Sequence, residues 1–466
     1  MRLAVTSVGR LFGTNGIRGR FGSELTVDFA VKIALAIGTY FNQGEILVGH
    51  DGRLSSPALK DAVVSGLLAS GCNVVDAGMM PTPALQFGVK HFKYDGGVMI
   101  TASHNPPEFN GIKVVGPDGI EVSRSEEVKI ETIFFEEKIR RAAWNEVGKI
   151  KEAPDVISAY IDAVISHVNV KRIAAQNFKV VVDPGNGVSA LTVPKVLRRL
   201  GCQVIPVNDA VDGRFPGRGP EPTPAALKGV AEVVRASKAD LGASYDGDGD
   251  RAIFTDELGV VHWGDKSGAI IEKHLLKRAG GGIIVTPVSS SKLIEEVALA
   301  HGGKVVWTKV GSVTVSHVLK EVSGLLGIEE NGGVFYPPHQ LVRDGAMTTA
   351  LILEIMAERG EKLSKLVGEL PKYYNVKLKV ACPNELKRNV IEKIEAAIRE
   401  EGKVLKIETI DGVKAWIDDY TWVLIRASGT EPIIRVYAEA KKEERAEEIA
   451  EAYKVKVAQI IKSLGG

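Results

Sequence analysis

The sequence predicts three related α/β domains with mixed sheets, followed by a smaller C-terminal α+β domain. Three observations support this prediction. The chain has 466 residues, which is more than one hydrophobic core usually supports. One pattern of strand, turn, helix and strand occurs three times along the chain, and the pattern changes after Pro371.

The repeated unit begins at Glu45, at Phe178 and again at Gly281. Each copy starts with an apolar run rich in β-branched residues, turns, continues through a helical stretch and resumes with a second apolar run. Apolar runs that alternate with helical patterns indicate βαβ units in a sheet that is covered on both faces. We therefore expect three copies of one α/β architecture.

Changes of pattern indicate where the domains end. A charged stretch at residues 126–151 precedes Pro154, and a turn at residues 257–259 interrupts two apolar segments. After Pro371, alternating strands such as VKLKVAC and WVLIRAS occur with helices between and after them. We predict four domains, at residues 1–154, 155–258, 259–371 and 372–466.

The composition restricts the class of partner and the compartment. Lys and Arg number 59 and Asp and Glu 58, which argues against nucleic acid or a membrane surface as the main partner. No apolar run approaches the roughly 18 residues of a membrane span, and the N-terminus is a poor signal-peptide core. We therefore expect a cytoplasmic protein. Cys72, Cys202 and Cys382 lack CxxC spacing, so we expect buried structural thiols. No heptad pattern predicts an oligomeric state.

Asp246, Asp248 and Asp250 alternate with glycine in the segment DGDGDR. Residues i, i+2 and i+4 of an extended segment point the same way, and the glycines between them allow tight curvature. Three carboxylates can therefore converge on one hard cation. A solvated acidic turn is the plain alternative. An EF-hand loop would use the same aspartates, with Glu257 at its twelfth position. However, Arg251 stands where that loop needs glycine, and the flanks look like strands rather than helices.

Ser103 lies in the segment TASHNP, directly after the apolar strand VMI. In open α/β sheets, ligands bind at the carboxyl ends of the strands. A purely structural loop is an equally open interpretation of this segment alone. His104 adjoins the serine in sequence, although neighbours on a loop need not touch. No GxSxG motif occurs, which argues against a hydrolase triad.

Two further polar loops follow apolar runs. In RASGTEPIIR, at residues 426–435, a guanidinium group, hydroxyl groups and loop N–H groups are suited to phosphate. The candidates there are Arg426, Ser428, Gly429, Thr430 and Arg435. In IEENGG, at residues 328–333, carboxylate and amide groups are suited to hydroxyl donors, as on a sugar ring. An ordinary turn is the alternative for both loops, and it is favoured for the second loop when that loop is considered alone.

The four motifs, in this order, closely resemble those of the α-D-phosphohexomutase family, which includes phosphoglucomutase, phosphomannomutase and phosphoglucosamine mutase. The resemblance covers essentially the whole chain. It implies that Ser103 is phosphorylated in the active enzyme. It also implies that Asp246, Asp248 and Asp250 hold one Mg²⁺ per chain together with a phosphoserine oxygen.

The same resemblance assigns the reacting end of the site. It places Arg18 of GTNGIRG, Lys113 of FNGIKV and Arg251 there, and we count His104 among the catalytic candidates. Lys113 resembles the general acid/base that has been considered for the family, but a lysine near phosphate is equally plausible as a charge clamp.

By the same resemblance, Glu329 and Asn331 belong to the sugar-binding loop, and the loop from Arg426 grips the phosphate that does not react. Many members of the family have GEMSGH or GEQSGH in the sugar-binding loop, and this chain departs from them at three positions: Ile328, Asn331 and Gly333. Ser312 also stands where relatives often have histidine, aspartate or another polar group. These departures leave the sugar hydroxyl that Asn331 contacts and the role of Ser312 open.

The implied activity is the interconversion of hexose 1-phosphate and hexose 6-phosphate, with a hexose 1,6-bisphosphate as intermediate and activator. The substrate would be a glucosamine, mannose or glucose phosphate, and no residue that contacts C2 can be named to choose among them. Two other interpretations remain open. A metal-dependent sugar phosphatase would use the same serine and cation, and a non-catalytic sugar-phosphate-binding protein would retain the fold.

Overall fold

The computed structural model describes residues 11–429 and 431–465. Four β-sheets follow one another along the chain, and each forms the centre of one domain. The sheets of domains I, II and III contain both parallel and antiparallel strand pairs, whereas the sheet of domain IV is antiparallel. This arrangement confirms the predicted fold class.

Domain I is built on a six-stranded sheet. Its strands are β1 (Ile17–Arg20), β2 (Glu45–His50), β3 (Asn73–Met79), β4 (Gly96–Ile100), β5 (Phe109–Val115) and β6 (Ile150–Glu152). Its helices are α1 (Val27–Phe41), α2 (Ser56–Ala69), α3 (Thr82–His91) and α4 (Arg124–Phe135). The strand order is β1-β5-β4-β2-β3-β6. Helix α4 begins with a capping box, in which the side chains of Ser123 and Glu126 each bond to the other's backbone N–H.

Domain II is built on a five-stranded sheet. Its helices are α5 (Val156–Ser166), α6 (Val170–Gln176), α7 (Val193–Arg199) and α8 (Lys228–Ser237). Its strands are β7 (Lys179–Asp183), β8 (Gln203–Pro206), β9 (Leu241–Tyr245), β10 (Ala252–Asp256) and β11 (Val261–His262). The strand order is β11-β10-β9-β7-β8, and β9 and β10 form an antiparallel hairpin.

Domain III is built on a four-stranded sheet. Its helices are α9 (Gly264–Ala279), α10 (Lys292–Ala300), α11 (Ser312–Glu321), α12 (Gly345–Arg359) and α13 (Leu363–Gly368). Its strands are β12 (Gly282–Pro287), β13 (Gly303–Thr308), β14 (Leu326–Ile328) and β15 (Val334–Phe335). The strand order is β13-β12-β14-β15.

Domain IV is built on a five-stranded antiparallel sheet that carries two long helices. Its strands are β16 (Tyr374–Ala381), β17 (Lys406–Glu408), β18 (Val413–Trp416), β19 (Trp422–Ala427) and β20 (Ile433–Ala440). Its helices are α14 (Lys387–Glu401) and α15 (Glu443–Ser463). The strand order is β16-β20-β19-β18-β17.

The three sequence repeats correspond to three βαβ units. In each unit the two strands are parallel neighbours: β2 with β3, β7 with β8, and β12 with β13. The helices between them are α2, α7 and α10. The second sheet extends to His262, beyond the predicted limit after residue 258, whereas the limits after residues 154 and 371 fall between sheets. As divisions between domains, all three limits stay predictions.

The first three domains share one hydrophobic core, to which Leu47 of β2, Val180 of β7 and Ile284 of β12 all belong. Domain IV has a separate core between its sheet and its helices α14 and α15. A small cluster that includes Trp422 and Val288 joins domain IV to domain III. The stabilisation from apolar burial increases with the buried area. We therefore infer that domain IV is held less firmly than the first three domains hold each other.

Lys414 on β18 is buried at this contact between domains III and IV. Its ammonium nitrogen lies 4.0 Å from the ring centre of Trp422, 4.7 Å from that of Trp307 and 5.0 Å from that of Trp416. It also donates a hydrogen bond to the carbonyl oxygen of Val288 at 2.8 Å. Burial lowers the pKa of Lys414 to about 8, while the faces of the indole rings attract the charged form.

Two predictions from composition can be compared with the structure. Cys72, Cys202 and Cys382 are buried and free, as expected for structural thiols. Among the helices of residues 11–429 and 431–465, none is both long enough and apolar enough to cross a bilayer.

Candidate active site and metal centre

Asp246, Asp248 and Asp250 lie on the loop that joins β9 to β10. One carboxylate oxygen from each residue lies within 4.8 Å of one such oxygen of each of the other two. All three residues are buried, with at most 2% of their surface exposed. The chain turns here, and Gly249 has a φ of +78°. The segment curves at a glycine, as its sequence indicated, and the carboxylates converge. The flanking strands exclude an EF-hand, whose loop is bracketed by helices.

The electrostatics of this loop fit a hard divalent cation. Asp248 Oδ1 and Asp250 Oδ1 are buried and have no hydrogen-bond partner within the described part of the chain. Burial and the neighbouring Asp250 and Asp248 raise the pKa of Asp246 well above its usual value. A divalent cation would relieve the repulsion between these buried carboxylates, and oxygen ligands of this kind suit Mg²⁺. The aspartate cluster could therefore hold this metal.

Ser103 lies on the loop after β4 and reaches the aspartate loop of domain II. Its hydroxyl donates a hydrogen bond to Asp246 Oδ2 at 2.7 Å, and its N–H donates to Thr101 Oγ1 at 2.9 Å. Its φ of +51° is in the left-handed region, which non-glycine residues adopt rarely and often at functional sites. A Cβ atom added to Gly247 would lie 2.5 Å from the carbonyl oxygen of Ser103, so glycine is needed for this approach.

Arg53 holds the loop that carries Ser103, and our sequence analysis did not select it. The residue is 1% exposed and follows β2. Its Nε donates to Asp51 Oδ2 at 3.1 Å. Its other nitrogens donate, at 2.6–2.9 Å, to carbonyl oxygens of the serine loop, those of Ser103, Asn105, Pro106 and Phe109. The pattern DGR at residues 51–53 falls at the turn of the first repeat. It is the one local feature of the sequence from which this role could have been predicted.

Lys113 and Arg251 supply positive charge to the aspartate cluster. The Lys113 ammonium, on β5, lies 3.0 Å from Asp248 Oδ2 and 3.6 Å from both Asp250 and Glu121. Burial lowers the pKa of Lys113, but these carboxylates outweigh burial and raise it above its usual value. Arg251 Nε lies 3.7 Å from Asp250 Oδ1 and is buried without a hydrogen bond to any described residue. Lys113 is thus a charged group that links domain I to domain II.

Arg18 and His104 flank the serine. Arg18 Nη1 donates to Asn105 Oδ1 at 2.7 Å and to the carbonyl oxygen of Ala102 at 3.3 Å. Burial lowers the pKa of Arg18 to about 10, so it remains charged near neutral pH. His104 Nδ1 lies 3.5 Å from Ser103 Oγ. Burial and nearby arginines lower its pKa well below the usual value, so its imidazole is neutral near pH 7.

Arg343 connects the aspartate cluster to the predicted sugar loop, and it too was absent from our sequence candidates. Its Nη1 donates to Glu329 Oε2 at 2.9 Å, and its Nη2 donates to Asp250 Oδ2. Burial lowers the pKa of Arg343, but Asp250 and Glu329 more than offset this and raise it. Because its partners lie on the β14–β15 and β9–β10 loops, no local pattern identifies it.

The predicted sugar loop is a tight turn between β14 and β15. The Asn331 Oδ1 atom accepts a hydrogen bond from the N–H of Gly333 at 3.2 Å. Glu330, next to the Glu329 that contacts Arg343, instead contacts Ser289 Oγ at 2.7 Å and Lys377 Nζ of domain IV at 3.2 Å. Glu329 therefore bonds within domain III, whereas Glu330 also reaches domain IV.

The predicted phosphate loop lies at the end of β19 in domain IV. Arg426 Nε donates to Asp411 Oδ2 at 2.6 Å. Arg435, on β20, donates from Nη2 to Glu431 Oε2 at 2.8 Å and from Nη1 to the Tyr437 hydroxyl at 3.3 Å. Both guanidinium groups are thus oriented by side chains of their own domain.

The remaining residues of the phosphate loop differ in exposure. Ser428 is buried, and its carbonyl oxygen accepts a hydrogen bond from Lys387 Nζ at 2.6 Å. Gly429 is exposed, and a Cβ added to it would lie 2.8 Å from Thr14 Oγ1 of domain I. Thr430, which the sequence also predicts to belong to this site, lies outside the described residues.

The structure therefore separates our sequence candidates into groups. Around the serine and aspartate loops it brings together Ser103, His104, Arg18, Lys113, Arg251, Asp246, Asp248 and Asp250. Glu329 joins this group through Arg343. The candidates of the phosphate loop form a separate group in domain IV.

Comparison with known proteins agrees with this architecture. The chain matches the four domains of the phosphoglucomutase/phosphomannomutase family: α/β/α domain I at residues 9–141, domain II at 158–259, domain III at 263–374 and the C-terminal domain at 376–454. It is 48% identical to the phosphoglucomutase/phosphomannomutase of Thermococcus kodakarensis, with 95% of this chain and 97% of the relative covered. It is 47% identical to the phosphoglucosamine/phosphogalactosamine mutase of Sulfurisphaera tokodaii, with 96% and 99% covered.

A solved structure has the same fold along nearly the whole chain. The crystal structure of a phosphoglucomutase/phosphomannomutase family protein from Burkholderia thailandensis superposes with a TM-score of 0.86 at 28% identity, and 97% of each chain is covered. The fold and these relatives define the class of protein as a phosphosugar mutase, which is an isomerase. The chain belongs to the phosphoglucomutase/phosphomannomutase family.

Proposed function

We propose that this enzyme interconverts the 1-phosphate and the 6-phosphate of a hexose, with Ser103 as the phosphoryl carrier. The observation that carries the proposal is the hydrogen bond of 2.7 Å from the Ser103 hydroxyl to Asp246 Oδ2. It joins a nucleophile in domain I to a buried acidic cluster in domain II. A phosphate on Ser103 would add nearly two negative charges beside this cluster.

The proposed reaction has two transfers. In the first, the bond between phosphorus and Ser103 Oγ breaks, and a bond forms between phosphorus and the free hydroxyl oxygen of a hexose phosphate. The proton of that hydroxyl is transferred in the end to Ser103 Oγ, so the products are the free serine and a hexose 1,6-bisphosphate. The bisphosphate then turns and returns its other phosphoryl group to Ser103 by the reverse of these steps.

Phosphoryl transfer needs positioning and neutralisation of charge more than covalent help from the protein. Lys113, Arg251 and Arg18 provide positive charge near the serine and the aspartates. We assign Lys113 the role of a charge clamp, because its ammonium already contacts three carboxylates. When bound, one Mg²⁺ per chain at the aspartates would supply further neutralising charge. The neutral imidazole of His104 is available as a hydrogen-bond partner beside the reacting oxygen.

The other end of the substrate would bind between the sugar loop and domain IV. Glu329 and Asn331 carry acceptors and an amide that suit sugar hydroxyls. Arg426 and Arg435, with Ser428, Gly429 and Thr430, would hold the phosphate that does not react. Since either phosphate must fit this loop in turn, the hydroxyl contacts must tolerate two orientations of the sugar. The separate core of domain IV is compatible with movement that lets the bisphosphate turn.

The proposed substrates are glucosamine, mannose and glucose phosphates. The relatives described above carry names that span these sugars and galactosamine. Rates with glucosamine 6-phosphate, mannose 6-phosphate and glucose 6-phosphate, measured side by side with Mg²⁺, would identify the preferred sugar.

Intact-protein mass and turnover test the proposal. We expect a phosphate-sized addition on Ser103 that is lost with excess hexose phosphate and regained with a hexose 1,6-bisphosphate. Ser103→Ala should abolish both the addition and mutase turnover, whereas Ser65→Ala, at an exposed serine of the same domain, should change neither. Near wild-type turnover in Ser103→Ala would refute the scheme. Release of inorganic phosphate in step with product would indicate a phosphatase instead.

A further inference from the structure

Asp411 lies where domain IV meets domain III, on the turn between β17 and β18. A single oxygen of its carboxylate, Oδ2, accepts two hydrogen bonds. One comes from Arg426 Nε at 2.6 Å, and the other comes from the backbone N–H of Val310 in domain III at 3.0 Å. The side chains of Arg426 and Asp411 are 11% and 21% exposed. This carboxylate therefore links the proposed phosphate-binding arginine to the neighbouring domain.

The contact at Nε determines how Arg426 is oriented. A guanidinium group is planar and donates in a fixed fork, so a bond to Nε that is held in place also sets the direction of the two terminal nitrogens. Gly412, next to Asp411, restricts the same region, because a Cβ added there would lie 2.3 Å from the carbonyl oxygen of Ile425. Arg426 and Asp411 are thus held close by the backbone as well as by charge.

The loops of domains I, III and IV meet around this link. A Cβ added to Gly311, which follows Val310, would lie 2.9 Å from the Thr14 side chain of domain I. A Cβ added to Gly429 would lie 2.8 Å from the same threonine. Ser312 Oγ lies 3.2 Å from the side-chain amide of Asn15. The bond between Asp411 and Val310 is therefore part of a contact that exists only when domain IV lies against domains I and III.

We propose that Asp411 is a positioning residue that orients Arg426 for the non-reacting phosphate of the substrate only when domain IV is docked on Val310. This inference rests on the proposed function, because it assigns Arg426 the phosphate described there. The carboxylate does not touch the substrate, and it acts through the arginine. Docking of domain IV on domain III and orientation of Arg426 for phosphate therefore occur together.

The proposal predicts an effect that depends on the second phosphate. Loss of a charge-assisted hydrogen bond in Asp411→Ala should raise KM for a hexose 1-phosphate roughly ten- to a hundredfold, with a smaller change in kcat. Asp411→Asn keeps an oxygen that can accept both bonds, so its KM should lie between those of the wild type and the alanine variant. Transfer from phosphorylated enzyme to unphosphorylated glucose needs no grip on a second phosphate, so its rate should stay at the wild-type value.

The experiment compares the full-length wild type, Asp411→Ala, Asp411→Asn and Asp419→Asn. The last variant changes an exposed aspartate of the same domain and serves as the matched control. Each protein is assayed for mutase KM and kcat, for the fraction of hexose 1,6-bisphosphate released per turnover, and for transfer to glucose. We expect higher KM and more released bisphosphate in the two Asp411 variants alone.

Several outcomes would overturn the inference. Equal slowing of transfer to hexose phosphate and to glucose would show a general structural defect. An unchanged KM in Asp411→Ala would show that Arg426 needs no such partner. If Asp411→Ala does not fold, an unchanged KM and an unchanged bisphosphate release in Asp411→Asn would overturn it equally. A wild-type enzyme without mutase turnover would instead refute the proposed function, and this inference with it.

Discussion

Replacement of Arg53 by lysine should loosen the loop that carries Ser103 without removing a charge. The guanidinium group donates to Asp51 and to four carbonyl oxygens of that loop. Lysine has one nitrogen with three donors, so at least two of these acceptors lose their partner. The bond to the Ser103 carbonyl is buried, whereas the bonds to Asn105, Pro106 and Phe109 are only partly buried, so water can replace some of the lost donors.

The size of the effect follows from the number of lost bonds. A partly buried acceptor without a partner costs about 1 kcal/mol, the lower end of the range for buried groups, so two of them destabilise the closed loop by roughly 2 kcal/mol. A cost of about 2 kcal/mol corresponds to an approximately thirtyfold larger population of the open loop. Mutase turnover follows the closed population, in which the hydroxyl of Ser103 is held at Asp246, so it should decrease once the open loop becomes a sizeable fraction.

Amide hydrogen exchange measures this opening directly. A chain of four domains does not unfold in one step, whereas exchange reports the free energy of local opening. The amides of residues 101–109 should exchange at least thirtyfold faster in Arg53→Lys, while those of domain IV should not change. Arg141→Lys, at an exposed arginine of the same domain, is the control. Equal exchange at residues 101–109 in the two variants, with full activity in both, would refute this account of Arg53.

Three further predictions concern the site and the contact between domains III and IV. Arg343→Met leaves Glu329 and Asp250 without their shared partner, so kcat/KM of the mutase reaction should decrease by about a hundredfold or more. Arg278→Met, at an exposed arginine of the same domain, should not change it. Equal kcat/KM values in the two variants would exclude the bridging role of Arg343. Treatment with a chelator should abolish turnover, and Mg²⁺ should restore it with one ion bound per chain by metal analysis; full turnover after complete chelation would exclude a metal requirement. Burial raises the pKa of Asp265 to about 7, above its unfolded value of about 3.9. The fold therefore favours the protonated form, and this contribution to stability is present below about pH 4 and is lost as the pH rises through 7. Asp265→Asn should remove the loss. The midpoint of the thermal transition in which domain III unfolds should therefore exceed that of the wild type by a margin that grows from pH 5 to pH 8, and a constant margin would contradict the assignment.

The fold was predictable because its information is local. Each βαβ unit is encoded by a continuous stretch, such as the one from Glu45, in which apolar runs and a helical pattern follow one another. The change to antiparallel strands after Pro371 is equally visible. The structure confirms three α/β domains and a C-terminal domain. The short strand β11, which extends the second sheet to His262, was missed because two residues form no recognisable pattern.

The candidate site was predictable only in part. Ser103 and the aspartates lie in short motifs, and the structure brings them into contact. The glycines of the aspartate segment predicted tight curvature, and the segment forms a turn in which Gly249 has a positive φ. The roles proposed for these residues stay predictions.

The residues that organise the site were not predictable from local sequence. Arg53 bonds to carbonyl oxygens about fifty positions away, Arg343 bonds to Asp250, and Asp411 bonds to Val310. Each of these contacts depends on how strands and domains pack, and a single arginine or aspartate in a loop has many ordinary explanations. Only the folded arrangement separates these side chains from other charged residues.

The tryptophans of this enzyme form an optical reporter of domain docking. The chain has five tryptophans. Trp307, Trp416 and Trp422 surround Lys414, and Trp263 lies against Lys377 at the same boundary between domains III and IV. Trp144 is 91% exposed, so its indole ring is already in contact with water. Undocking of the fourth domain would transfer buried indoles to water and shift their emission to longer wavelength. With Trp144→Phe to remove the constant background, ordinary fluorescence would follow this motion in solution without any attached dye.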